Sequence, residues 1–184
     1  MAQIRPMEGH EADRVRDLWL QMCAEVGTPL PASSAQLILA NLKQFADHQL
    51  VHCFVAEEQG VISGFVTCSV QGHPVMPELS GEIEELYVQP IEPATLRQAI
   101  QADLVKRAVA FMLARAVGSI HTRTCTGKEY PEEQERLAFW QSLGWENDMT
   151  IYSIYSNVPG GPALQHVWDT YQTHAQGANQ EQQP

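Results

Sequence analysis

Glu82-Ile-Glu-Glu-Leu-Tyr-Val88 is followed by Gln89-Pro90, then by Glu92-Pro93, and then by a run from Thr95 to Ala116 in which Ile100, Leu104, Ala108, Phe111 and Met112 recur at helical spacing. The first segment mixes acids with large apolar residues over strand length, which predicts a strand. Period two sets Glu82, Glu84, Leu86 and Val88 on one face and Ile83, Glu85 and Tyr87 on the other. The prolines cannot continue a ladder and end it. The long run that follows predicts a helix buried on one side, with Gly118 placed to terminate it as a C′ glycine.

Before this core, residues 2–6 predict a short strand. Val15, Leu18, Trp19, Met22 and Val26 then mark one stripe of a helix over 11–26, which Gly27-Thr-Pro stops. Ser33-Ser34 can cap a second helix with Leu37, Ile38, Leu42 and Phe45 on its apolar face. Val51–Ala56 and Val61–Val70 are rich in β-branched residues, and Glu57–Gly60 between them predicts a hairpin turn with Gly60 at positive φ. After the long helix, Ser119–Thr126 predicts a strand. Pro131 opens a helix over Glu132–Leu143 that Gly144 closes, and Met149–Tyr155 predicts the last strand. The order β-α-α-β-β-β-α-β-α-β predicts an α/β (α+β) domain over residues 1–157. Residues 158–184 form an extension: a short helix near Ala163–Gln172 carrying Val167, Trp168 and Tyr171, and a polar end expected to be disordered.

Composition narrows the function classes. The chain has 184 residues, 44% of them apolar, with 11 Lys and Arg against 22 Asp and Glu, a formal net charge of −11. It can close a real core. No run approaches the ~20 apolar residues of a membrane span, and the first twenty residues are broken by charges, so a soluble, cytoplasmic protein is expected with no membrane partner. Residues 44–96 contain no Lys or Arg, whereas seven of the eleven bases fall between Arg97 and Arg136. An acidic side of a cleft would favour a cationic ligand and a basic side an anionic one. Nucleic acid is excluded as a partner by the net charge and the lack of a basic stripe. The histidines show no metal-ligand spacing, so no metal is expected. Four cysteines without CxxC spacing are expected to be reduced thiols, and Cys125 to be a buried, inert one.

Three pieces taken together resemble the GNAT superfamily of N-acetyltransferases: Ile4-Arg5-Pro6 before the first helix, Ile83-Glu-Glu-Leu-Tyr-Val-Gln-Pro90, and Phe139-Trp-Gln-Ser-Leu-Gly-Trp145. The resemblance covers residues 2 to about 156. It implies a single domain with a mixed central sheet of six to seven strands flanked by helices, and acetyl-CoA as co-substrate. It further implies cofactor contacts from Leu86, Tyr87 and Val88, from Arg97, Gln98, Ala99, Ile100, Gln101 and Ala102, and from Trp140. The departure from the family is in the phosphate-binding run, where Ile100 stands at the middle glycine position and an insertion brings in Glu92, whose charge would repel phosphate. Trp140 also stands where the family places a tyrosine acid.

Transfer of an acetyl group to an ammonium substrate needs a base to take its proton. Glu84 is the first choice, by resemblance to acids at this place in polyamine-type members, with Glu82 and Glu85 as alternatives; the same acids also fit a solvated strand face. The backbone N–H near Val88 would polarise the thioester carbonyl. The resulting expectation is an N-acetyltransferase acting on the primary amine of a small cationic acceptor. The other reading is a catalytically inactive binding module on the same scaffold. Trp168 and Tyr171 would serve as a clasp on the domain or as the contact of a homodimer.

Overall fold

The computed structural model describes residues 2–25, 27, 30–45, 48–72, 79–123, 138–148 and 151–155. In chain order these form β1 (Gln3–Pro6), a 3-10 turn (Gly9–Glu11), α1 (Ala12–Glu25), α2 (Ala32–Phe45), β2 (Val51–Glu58), β3 (Val61–Gly72), β4 (Leu79–Val88), α3 (Ala94–Leu113) and β5 (Val117–Arg123). A helical stretch at 138–142, β6 (Glu146–Asp148) and β7 (Ile151–Tyr155) follow. This is the expected α/β order with one additional strand. The chain divides into two compact units, Met1–Val117 and Gly118–Pro184.

In the first unit, β1, β2, β3 and β4 pair antiparallel in that order. Glu58 pairs with Val61, so the β2–β3 turn is only Gln59-Gly60, with φ of 53° and 80°. Two consecutive positive φ values make the tight hairpin turn whose twist matches its strands, shorter than the four-residue turn expected at Glu57–Gly60. One sheet face, carrying Cys53, Val55, Phe65 and Tyr87, packs under Val15 and Leu18 of α1 and Leu42 of α2. Trp19 stacks on Phe65 with centroids 5.5 Å apart. The opposite face meets α3, where Phe54 and Phe111 sit edge to face at 5.8 Å.

Two helix expectations are corrected. Leu37 is 63% exposed, because the inward stripe of α2 runs through Ile38, Leu39, Leu42 and Phe45 and Leu37 stands off it. Gly118 does not cap α3. The helix ends at Leu113, the left-handed residue is Ala116 at φ 56°, and Gly118 already belongs to β5.

In the second unit, β7 pairs antiparallel with both β5 and β6. Gly144 takes φ 81° after the helical stretch, as expected of a helix-closing glycine, and Trp140 and Trp145 are buried against each other at 4.8 Å. The strand β6 was not expected, since Glu-Asn-Asp has low strand propensity. Cys125, Pro131, the start of the helix expected from Glu132 and the whole 158–184 extension lie outside the described residues. Among the described residues no helix is long and apolar enough to cross a membrane, and no group of three or more His, Cys, Asp or Glu could hold a metal.

Candidate active site

The site is built on an irregularity in β4. Thr67 of β3 pairs with Glu85, but the next residue, Cys68, pairs with Ile83, so Glu84 has no partner across the ladder. One extra residue makes a β-bulge, which reverses the alternation of side chains along a strand. Gly81, before the bulge, faces α3: a Cβ there would lie 2.4 Å from the Met112 sulfur. Tyr87, after it, lies in the cluster under α1 and α2. Strict period two across the whole segment is therefore corrected. Ile83, Leu86 and Val88 share the α3 side, whereas Glu82, Glu85 and Tyr87 share the α1 side, with Glu84 exposed at the bulge.

Thr67 lies at the bulge. The Glu85 N–H donates to Thr67 Oγ1 at 3.2 Å, and Thr67 is fully buried. Ser69, also buried, pairs across the strands with Glu82, and the Gln71 amide donates to Ser69 Oγ at 3.3 Å and to Glu82 Oε2 at 3.5 Å. A polar track on β3 thus runs beside the acids of β4, in a sheet face otherwise lined by Cys53, Val55 and Phe65.

The C-terminal end of β4 is tied to α1. The Tyr87 hydroxyl donates to Glu25 at 2.7 Å, the Gln89 amide donates to Gln21 at 3.1 Å, and Arg14 donates to the Ile62 carbonyl at 3.0 Å and to Gln89 at 3.3 Å. Burial, followed by the bond to Glu25, pushes the Tyr87 hydroxyl well above the ordinary phenol range. It stays protonated at any working pH. Burial, helped by the Glu85 charge, also raises the Cys23 thiol of α1.

The residues expected to hold a phosphate lie elsewhere than in a loop. Helix α3 begins at Ala94, so Gln98, Ala99, Ile100, Gln101 and Ala102 are already inside it, where backbone N–H groups belong to the helix ladder. Ile100 is buried with Leu104 and Val105, as its spacing predicted. The Leu96 N–H already donates to the Pro93 carbonyl at 2.9 Å, which leaves the N–H groups of Ala94 and Thr95 at the helix start, where Pro93 offers no side-chain cap and no acid is present. Arg97 stands in that turn. Its Nε donates to the Val88 carbonyl at 2.8 Å and its guanidinium lies 5.9 Å from the centre of the Tyr87 ring. Exposed Glu92 lies just before this turn. Trp140 fills core against Phe139 and Trp145.

Sequence reading singled out the acids of β4 and Arg97 but missed Thr67, Gln21, Glu25 and Gln89. A threonine inside the apolar run Phe65-Val-Thr-Cys68 was the available signal for the first. The α1 partners carry none, because their role depends on the crossing of helix and strand.

No family model and no curated protein matches this sequence. Solved structures do match in fold. A GNAT-family protein from Desulfovibrio desulfuricans is 12% identical, with 84% of this chain and 99% of that one covered at a TM-score of 0.62. The aminoglycoside N-acetyltransferase AAC(6')-Iy in complex with CoA is 17% identical, covering 86% of this chain and 95% of its own at 0.62. An aminoglycoside acetyltransferase from an uncultured soil metagenomic sample, in complex with sisomicin, is 15% identical, covering 86% and 97% at 0.59. The chain has the GNAT acetyltransferase fold.

Proposed function

We propose that this protein is an N-acetyltransferase that transfers the acetyl group of acetyl-CoA to the amine of a small cationic acceptor, with Glu84 as the base. The observation that carries the reading is the bulge at Glu84. It sets an exposed carboxylate in the middle of β4 between two further acids, Glu82 and Glu85, beside a buried polar track on β3. The acceptors named for neighbours of the same fold agree with a small polycationic molecule.

The residues present fit acetyl-CoA. The start of α3 offers the N–H groups of Ala94 and Thr95 without a side-chain cap, and the terminal nitrogens of Arg97 make no hydrogen bond among the described residues, so both features can meet phosphate oxygens. When bound, acetyl-CoA supplies an acyl carbon activated as a thioester. The Gln89 N–H donates to the Ser63 carbonyl on the β3 side, so by strand alternation the Val88 N–H points to the opposite edge of β4, the orientation a donor to the thioester carbonyl needs. The acids of β4 draw an ammonium group to the strand, and Glu84 takes its proton so that a free amine faces the acyl carbon. Tyr87, held protonated by burial and then by its bond to Glu25, contributes a fixed wall rather than an acid.

The test is a panel of mono-, di- and polyamines with acetyl-CoA, followed by thiol release, alongside thermal unfolding with and without CoA. A ligand at 100 times its Kd stabilises by about 2.7 kcal/mol. Thiol release that depends on a cationic amine, with a CoA-dependent rise in Tm, is the expected result. An unchanged Tm at millimolar CoA and no release with any amine would leave the binding-module reading.

A further inference from the structure

We propose that Glu25 is the specificity-determining residue for the acceptor: the carboxylate oxygen that its protein partners leave open receives a second ammonium group, so the substrate class is a diamine or longer polyamine rather than a monoamine. This deepens the proposed function and rests on it for the reaction. A chain of side-chain hydrogen bonds with a single direction holds the residue. Arg14 can only donate, and its Nη2 donates to the Gln89 side-chain oxygen at 3.3 Å, which turns the Gln89 amide nitrogen to the Gln21 oxygen at 3.1 Å. The Gln21 amide nitrogen is thereby left to donate to Glu25 Oε1 at 3.1 Å. The Tyr87 hydroxyl donates to the same oxygen at 2.7 Å. Glu25 Oε2 has no hydrogen bond or ion pair among the described residues.

Both partners of Glu25 are neutral, so the carboxylate is fixed without its charge being compensated. Other acids of this unit are held by bases: Glu11 and Glu57 by Arg5, and Asp103 by Lys106. Position adds to the effect. Glu25 is the last residue of α1, and no base stands in that helix's last turn, so the carboxylate sits at the negative end of the helix dipole. An acid there works against the helix, and an incoming cation relieves the conflict. Tyr87 lies on the side of the sheet under α1 and immediately precedes Val88, the proposed donor to the thioester carbonyl. The open oxygen is therefore one tyrosine side chain away from the strand end where transfer takes place. One amine of the acceptor reacts there while the other is held by Glu25. A carboxylate already fixed by two donors loses little further freedom on binding, which favours it over the loosely held acids of an ordinary surface.

The experiment compares 1,4-diaminobutane with butylamine, which has the same chain and one amine, in wild type, Glu25→Gln and Asp103→Asn at pH 7. E25Q keeps an oxygen that can accept from Tyr87 and Gln21 and removes the charge, whereas D103N removes a charge from α3. Wild type is expected to favour the diamine in kcat/KM by about fivefold or more. E25Q is expected to bring that ratio to about two, the statistical value for two equivalent amines, through KM of the diamine rather than kcat. D103N is expected to keep the wild-type ratio. A ratio of about two in wild type, an unchanged ratio in E25Q, or an equal fall in D103N would overturn the proposal. If E25Q does not fold, Glu25→Ala supplies the chargeless comparison. Should the wild-type chain transfer no acetyl group to either amine, the proposed function fails, and calorimetric binding of 1,4-diaminobutane in the presence of CoA still decides Glu25. Binding to wild type that weakens about fivefold or more in E25Q supports the anchor; equal binding in both, or none in wild type, overturns it.

Discussion

Among single residues, His52 shows most directly how position overrides type. Its ring stacks on Phe111 at 4.9 Å and tilts against Phe54 at 4.8 Å, while its buried Nδ1 has no hydrogen-bond partner among the described residues. Arg107 lies over Phe54 and Arg115 over Phe111, so one cation of α3 and one just past its end flank the ring. Burial first, then these two charges, hold the His52 pKa below the ordinary histidine value. The unfolded chain therefore binds a proton that the folded chain resists. Stability is fully present above the unfolded pKa of about 6.5 and declines as pH falls below it. Thermal unfolding from pH 7.5 to 5 is expected to show this decline, and His52→Phe, which keeps the stacking, to flatten it. An identical slope in the variant would show that other groups set the pH dependence. At lower pH a separate loss is expected from Glu11, whose carboxyl is held below its usual range chiefly by the hydrogen bond from Arg5, at 2.8 Å from Nη1 to Oε2. That contribution is present above the usual carboxylate pKa and disappears as pH falls through the depressed one.

Strands and helices were legible wherever local pattern and tertiary packing agreed. The stripe of α1, the buried side of α3 and the β2–β3 hairpin all announce themselves by period and turn chemistry. The bulge at Glu84 did not, although the doubled acid Glu84-Glu85 breaks strict alternation and is its only trace in one dimension. The start of α3, read at about Thr95, lies at Ala94, so Arg97 and the run that follows it fall inside the helix. Ala116 took the left-handed position expected of a glycine because the chain must turn before β5 regardless of which residue stands there. Gly64 carries the sharpest prediction at this scale. A Cβ there would lie 2.7 Å from Val88 Cγ2 and 2.8 Å from the Tyr87 carbonyl oxygen, so β3 and β4 approach each other through that glycine. Gly64→Ala is expected to destabilise by about 1–3 kcal/mol in a denaturant titration, since backbone cannot yield as a flexible side chain would. A wild-type midpoint would mean that the strands separate there without cost.

Over the whole molecule, the charge asymmetry read from the sequence acquires a place. The base-free stretch 44–96 supplies β2, β3 and β4, and Arg97, the first base after it, stands in the first turn of α3 beside the end of β4. An acidic strand and a cationic helix start thus meet within one unit, which suits an ammonium acceptor beside a phosphate-bearing donor. The last described strand ends at Tyr155, so truncation after Asn157 is expected to leave a soluble, folded domain with an unchanged CoA-dependent rise in Tm. Insoluble product would show that the extension covers core surface. The central claim is that Glu84 is the base of an amine acetylation, and the measurement that reaches it most directly is kcat/KM against pH for wild type and Glu84→Gln with the best amine of the panel. The variant keeps shape and removes charge and basicity. A fall of about 10²–10⁴ near pH 7, partly recovered at pH 9 where free amine is supplied by the solution, with CoA binding unchanged, is the predicted result. Wild-type rates for Glu84→Gln from pH 6 to 9 would contradict it.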